Sequence, residues 1–462
     1  MRATRTGRES GAFPQQRDDG LKDRPAGAAR EILLAAIRAV DPRALTANAL
    51  HEWRAGLAER SVEVIAAGKA AAAMVRGAGD ALGPALRGGV AIGPSVDSAV
   101  PGGVFAFAGG HPMPNDEGAR GARAAARLLG EAAQGSHVLV LISGGASSLM
   151  TLPVEGVTLE DVVAMSRALM AAGADIRELN CVRKHLDQLK GGLMARAAAG
   201  TAIRALVLSD VIGDPLDVIG SGPLVPDPTT YDDAMNILRA RGVWDTVPPA
   251  VREHLLAGVR GERAETPKPG DACFANIAIE VIGNNALAVQ GAAAEARRRG
   301  FDVEIVAVPV EGEARDAGDL FARRALQRWA EGDRDRPRCI VGGGETTVTV
   351  TGTGIGGRNL EFAAAAALTL DGAANIAIGS IGTDGRDGPT DAAGAVVDGE
   401  TAVRARVAHA DLADHLRNND TLRALDAAGA VMRTGATGTN VADVYAATIV
   451  AQHGPGTGLA PA

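Results

Sequence analysis

Aromatic residues make up only 3% of this 462-residue chain, so Ala, Val, Leu and Ile have to build its core. Cysteine is scarce as well. Cys181, Cys273 and Cys339 lie far apart and form no CxxC pair, which argues for free thiols in a reducing compartment rather than a disulfide framework. An excess of basic residues is missing too. Lys and Arg number 47 against 55 Asp and Glu, a formal net charge of −8, so the basic stripe by which a nucleic-acid binder displaces counterions is absent. No apolar run reaches the roughly 20 residues of a membrane helix without interruption. Residues 1–27 mix basic and acidic groups with no apolar segment, and they read as a tail, not a signal peptide. The expectation is a cytoplasmic protein with neither nucleic acid nor membrane as partner.

What is present points to an enzyme of the α/β class. The length exceeds the roughly 250–300 residues at which one core stops growing, so two domains are expected. The 60 glycines cluster after apolar runs, as strand-to-helix turns require. Short β-rich runs at 62–66, 90–92, 104–108, 137–143 and 203–209 alternate with Ala-rich helical stretches, which predicts a mostly parallel sheet covered on both faces. A second series begins near 276, with strands expected at 276–282, 303–308 and 338–341. The run 346–351 (TTVTVT) alternates in polarity and predicts a half-exposed strand of a mixed sheet. The polar linker 258–271 suggests a boundary, with a first domain over 28–265, a second region over 272–449 and loose ends at 1–27 and 450–462.

Ligands of open α/β sheets lie beyond the carboxyl ends of the strands, and there the Gly, Ser and Asp clusters occur. The first strand delivers Gly68-Lys69. The run 137–142 delivers Ser143, Gly144, Gly145, Ala146, Ser147 and Ser148, which reads either as a backbone nest for an anion or as a tight turn with a serine cap. Strand 203–208 delivers Ser209-Asp210, strand 338–341 delivers Gly342, Gly343, Gly344 and Glu345, and strand 376–381 delivers Gly382-Thr383-Asp384. Lysine after a buried strand and a glycine can reach a phosphate as a point charge. Aspartates at strand ends suit Mg2+, which takes oxygen ligands and keeps several waters. Asp210, Asp214 and Asp217 share one loop and Asp384, Asp387 and Asp391 another, where the competing reading is Asp-Gly turns. Arg183 and Lys184 can meet a substrate carboxylate or simply form a solvated helix face.

Three familiar motifs fail. There is no GxxxxGK[ST] and no GxSxG. GTGIGG at 352–357 fits GxGxxG in form, but its preceding run alternates in polarity where a dinucleotide-binding strand is apolar on both faces. His111, in GGHPMPN, has no second His at metal-ligand spacing.

Taken in order, GHPMPN (110–115), ISGGASSL (142–149), NCVRKHLDQLKGG (180–192), LSDVIGDPLDVIGSGP (208–223), GGGETTVTVTGTGIGGRNLE (342–361), GTDGRDGPTDAAGAVVD (382–398) and TGTNVAD (437–443) resemble the class II glycerate 2-kinases. That resemblance spans about 30–449. It implies two α/β domains, an N-terminal Rossmann-like three-layer sandwich and a smaller MOFRL domain at about 336–446 with a mixed sheet, and an active site in the cleft between them. It implies ATP-dependent phosphorylation of D-glycerate at its 2-hydroxyl, with ATP as co-substrate and Mg2+. Lys69 and Arg358 match the positions regarded as catalytic in the family. The needs of phosphoryl transfer then place Ser143, Ser147, Ser148, Arg183 and Lys184 at the substrate, Gly144, Gly145, Gly343, Gly344 and Glu345 at the nucleotide, and Asp210 and Asp384 at the metal, with one of the two as an alternative at the glycerate hydroxyl. A monomer or homodimer is expected. The alternative is a hydroxypyruvate reductase using NAD(P)H, because relatives have carried that name.

Overall fold

The structure, a computed structural model, describes residues 25–56, 61–96, 99–132, 136–198, 200–331 and 336–450. Of the tails expected at 1–27 and 450–462, residues 1–24 and 451–462 lie outside the described residues, while 25–27 belong to a helix. Pro25 opens a helix, Pro25–Ala39, a position where its missing N–H costs nothing.

Six strands form the first sheet: β1 (Val62–Ala67), β2 (Leu86–Gly93), β3 (Val104–Ala108), β4 (His137–Ile142), β5 (Ala202–Leu208) and β6 (Ile277–Gly283), in the order β3-β2-β1-β4-β5-β6. All pairs are parallel. β1 shows why the strands read as continuous apolar runs. Val62, Val64 and Ala66 face one core, shared with helix Ala71–Leu82, while Ile65 and Ala67 face another, shared with helix Asp116–Glu131. Both faces are covered, as a parallel sheet demands, and a three-layer arrangement results.

The second sheet has seven strands: β7 (Asp302–Ile305), β8 (Val310–Glu313), β9 (Arg338–Thr347), β10 (Ile376–Gly382), β11 (Gly394–Asp398), β12 (Val431–Met432) and β13 (Asp443–Ile449). Its order is β12-β11-β10-β13-β9-β7, with β8 also on β9. The sheet is mixed, since β9, β10, β11 and β13 pair antiparallel while β7 and β8 run parallel to β9.

The sheets do not divide the chain at the polar linker. β6 lies after it yet pairs with β5 in the first sheet. Helix Pro25–Ala39 lies before it yet packs on the second, where Leu33 approaches Gly379 and Thr448 Oγ1 donates to Pro25 O at 2.8 Å. An apolar run carries its periodicity but not the identity of its partner. β9 also departs from expectation. It continues unbroken through the three glycines, and residues 348–350 are not a strand.

Candidate active site

The carboxyl ends of β1, β4 and β5 open toward the end of β10 and the start of β13. Lys69 is placed by its neighbours' backbones: its N–H donates to Gly144 O at 2.8 Å, and Ser143 N donates to Ala67 O at 3.0 Å. The Ser143 hydroxyl accepts from Ala70 N at 3.0 Å. Gly68 has φ +130, and a Cβ there would fall 2.1 Å from Ser143 Oγ, so only glycine fits this turn. At Gly144 a Cβ would fall 2.0 Å from Asp210 Oδ2. That glycine makes room for the carboxylate.

Charges from both sheets meet in this opening. Lys69 Nζ lies 3.3 Å from Asp384 Oδ2. Asp210 Oδ2 accepts from Asn440 Nδ2 at 3.0 Å, across the two sheets. Burial pushes the Asp210 carboxyl up to about 6; Lys69 pulls the other way, and Glu345 and Asp384 add to the rise. Arg358, first residue of helix Arg358–Thr369, grips Asp443 with Nε at 2.6 Å and Nη2 at 3.1 Å, and its Nη1 donates to Glu345 at 2.6 Å. Burial opposes the guanidinium charge, but Asp443 and Glu345 hold its pKa above the usual value. Asp443 is fully buried, and burial raises it to about 6 against the pull of Arg358. The N-terminus of the same helix is capped from a distance. Asp387 accepts from Asn359 N at 3.0 Å and Leu360 N at 2.8 Å, replacing the cap that Gly357 cannot supply.

The expected site residues thus separate into two groups. Lys69, Arg358, Asp210, Asp384, Glu345, Gly144 and Gly145 converge. The N–H groups of Gly144 and Gly145 make no hydrogen bond to the described residues, so both are free for an anion. Ser143, Ser147 and Ser148 flank the opening, but their hydroxyls are committed: Ser147 Oγ pairs with Ser221 Oγ at 2.7 Å and Ser148 Oγ donates to Pro112 O at 2.8 Å.

Two expectations need correction. Gly343 and Gly344 sit inside β9 between β13 and β8, so they do not form a phosphate loop. They are glycines because a Cβ would fall 2.0 Å from Asn285 Oδ1 or 2.2 Å from Val310 O. Lys184 is buried in an ion pair with Asp227 at 3.2 Å, with side chains 4% and 0% exposed, so its charge is already matched inside the protein. Its neighbour Arg183 donates to Ser166 Oγ at 3.3 Å, and no carboxylate among the described residues pairs with it. The chain Ser147–Ser221–Asn180, closed by Ser221 Oγ donating to Asn180 Oδ1 at 2.9 Å, ties the helix of Arg183 to the loop after β4.

Asn440, Asp443 and Asn359 escaped the reading of the sequence as site residues. Asn440 and Asp443 lie in TGTNVAD, a motif visible in the sequence whose partners are more than 80 positions away.

Among the described residues no three His, Cys, Asp or Glu side chains are arranged as a metal cage. The donor set still fits Mg2+. Four carboxylates (Asp210, Asp384, Glu345 and Asp443) stand against two cations (Lys69 and Arg358), and although burial is the main cause of the raised Asp210 pKa, Glu345 and Asp384 add to it. Mg2+ is usually held by one or two carboxylates together with substrate phosphates.

Residues 28–256 match a domain of unknown function, DUF4147, and residues 338–443 match the MOFRL family. A Thermotoga maritima protein named D-glycerate 2-kinase is 40% identical over 91% of this chain and 97% of its own length. The chain belongs to the glycerate 2-kinase family. A Pyrococcus horikoshii member named glycerate 2-kinase is 39% identical over 91% of this chain and 96% of its own. The crystal structure of a Thermotoga maritima glycerate kinase superposes with a TM-score of 0.81, covering 92% of this chain and 99% of that one at 39% identity. The family also holds an Agrobacterium vitis protein provisionally named hydroxypyruvate reductase, 38% identical over 91% of this chain and 93% of its own. In this chain the glycines of the GTGIGG loop serve close packing on 418–421, with a Cβ on Gly352 falling 2.2 Å from Asn418 O and one on Gly354 2.2 Å from the Asp420 side chain.

Proposed function

We infer that this chain transfers the γ-phosphoryl group of ATP to the 2-hydroxyl of D-glycerate, giving 2-phosphoglycerate and ADP. The observation that carries this reading is the pairing of Lys69, from the first sheet, with Asp384 of the second, beside Asp210, which also feels Glu345, the partner of Arg358. Phosphoryl transfer is mainly positioning and charge stabilisation, and this constellation offers both. The bond from Pγ to the ADP oxygen breaks as the bond to the glycerate oxygen forms. Lys69 and Arg358 offset the charge that spreads over the phosphoryl oxygens, and the free amides of Gly144 and Gly145 face phosphate. Asp210 takes the hydroxyl proton, a role suited to a carboxylate whose proton affinity burial has raised. Asp384, with Asp210 beside it, is the residue that would hold Mg2+, which would supply positive charge to offset that of the phosphates. Arg183 is the candidate for the glycerate carboxylate, being a cation with only a hydroxyl partner.

The test is an assay with ATP, Mg2+ and D-glycerate in which phosphorus NMR reads the position of the product phosphate. A 3-phosphate product, or ATP use that does not depend on glycerate, overturns the reading. Oxidation of NADH or NADPH by hydroxypyruvate without ATP would establish the reductase instead.

A further inference from the structure

We propose that the His111 imidazole recognises the acceptor's second hydroxyl, the one that is not phosphorylated, and so selects dihydroxy acids over simple 2-hydroxy acids. This rests on the kinase reading and goes beyond it.

His111 stands at the opening without belonging to the charged cluster. Its ring covers Gly145, where a Cβ would fall 2.9 Å from His111 Cδ2 and 3.3 Å from Nε2. Gly144, the preceding residue, accepts the Lys69 N–H. The imidazole also feels the charges of both Lys69 and Asp384, which places it on the rim of the same basin. Neither ring nitrogen has a hydrogen-bond partner among the described residues.

The loop that carries it is fixed on both sides. Ser148 Oγ donates to Pro112 O at 2.8 Å. Asn115 Nδ2 donates to Ala108 O at 3.1 Å, while its Oδ1 caps the helix beginning at Asp116 by accepting from Gly118 N, 2.8 Å away. At Gly110 a Cβ would fall 2.2 Å from Met113 O, so the loop closes tightly only with glycine. Three polar anchors hold the histidine, and nothing among the described residues uses its ring.

The chemistry selects the ligand group. Partial desolvation and the Lys69 charge lower the His111 pKa below its ordinary value, with Asp384 opposing them, which favours the neutral ring. A neutral imidazole offers one donor and one acceptor, the same complement as a hydroxyl. Anionic groups are better met by Lys69, Arg358 and Arg183. Within the acceptor, the second hydroxyl is the neutral polar group left over; ATP offers others in its ribose and base, and the KM for ATP distinguishes them.

The experiment compares D-glycerate with D-lactate, which keeps the 2-hydroxyl and carboxylate but lacks the second hydroxyl. For wild type, His111→Ala, His111→Asn and Ser148→Ala, kcat/KM is measured with each acid at saturating MgATP. If D-lactate is not turned over, its inhibition constant against D-glycerate is read instead. His111→Ala should lower kcat/KM for D-glycerate about tenfold, the worth of one neutral hydrogen bond, and leave D-lactate and the KM for ATP unchanged. His111→Asn, which keeps a donor and an acceptor, should recover part of the loss, and Ser148→Ala should show the same glycerate-selective defect in weaker form. Equal losses with both acids, or no loss with either, overturn the proposal. A wild-type enzyme that does not phosphorylate D-glycerate at all overturns the kinase reading instead, so the two failures are distinguishable.

Discussion

Lys69 Nζ lies 3.3 Å from Asp384 Oδ2 although 315 positions separate them, and each residue closely succeeds a strand of a different sheet. Their pairing joins the ends of the two sheets where the proposed site lies. Both side chains keep contact with solvent, 31% and 27% exposed, so the pair adds little to stability, about 0–1 kcal/mol. Lys69→Ala should therefore unfold near the wild-type temperature while losing at least about a hundredfold in kcat/KM, the scale of one removed charge stabiliser. A loss of less than about threefold, read as transition-state free energy, takes Lys69 out of the mechanism.

Arg358 is different because its partner is buried. Asp443 is 0% exposed, and removing the guanidinium leaves a carboxylate inside the protein without a counter-charge. Arg358→Ala should be inactive and also less stable in urea by about 3 kcal/mol. Arg358→Lys should not restore activity, since an ammonium cannot span Asp443 and Glu345 as the fork does. Wild-type stability in Arg358→Ala would show that Asp443 is open to solvent rather than buried.

Asp210 holds its proton more tightly in the folded chain, at about 6, than at its ordinary 3.8. Its contribution to stability is therefore greatest at low pH and is lost as pH rises through that window. In the absence of nucleotide and metal, Asp210→Asn should be more stable than wild type at pH 7.5, by about 1 kcal/mol after allowing for solvent at the cleft. The stability difference should vanish at pH 4, and activity should be absent throughout. A variant less stable than wild type at pH 7.5 would mean that the Asp210 carboxylate is stabilised, not strained, by folding. Asp443, raised in the same direction, leaves a residual slope in the variant.

Without a preformed cage among the described residues, Mg2+ should bind the free protein weakly and bind well only with ATP. Calorimetry with Mg2+ alone should show no saturable heat below about 1 mM, a concentration at the weak end for oxygen-ligand sites. Chelation should abolish turnover and added Mg2+ should restore it. Asp384→Asn should raise the Mg2+ concentration needed for half-maximal rate.

Adjacent Arg183 and Lys184 should respond in opposite ways. Lys184→Met strands Asp227 and should destabilise by about 3 kcal/mol. Arg183→Gln should leave folding nearly intact and raise the KM for D-glycerate with little change in the KM for ATP. If Arg183→Gln changes neither KM, the acid's carboxylate is held elsewhere.

That last pair shows why part of the site was illegible in the sequence. Consecutive helical residues point about 100° apart, so Lys184 enters the core while Arg183 stays partly exposed, and RKH spells both alike. Composition and spacing were enough to place Lys69, Asp210 and Asp384 at strand ends, because a buried strand must end in a turn and a turn brings its residues toward solvent. The glycines of β9 misled for the same reason. A run of three resembles a loop, yet here the close approach of Asn285 and Val310 keeps it a strand.

The order of elements, the apolar character of β1, β4 and β5 and the motifs at their ends were written in the chain itself, since each depends on neighbours a few positions away. Which strand joined which sheet, which aspartate lost its solvent and which basic residue found a buried partner depended on contacts across scores or hundreds of positions. Those contacts exist only once the chain has folded, and so tertiary structure alone decided them.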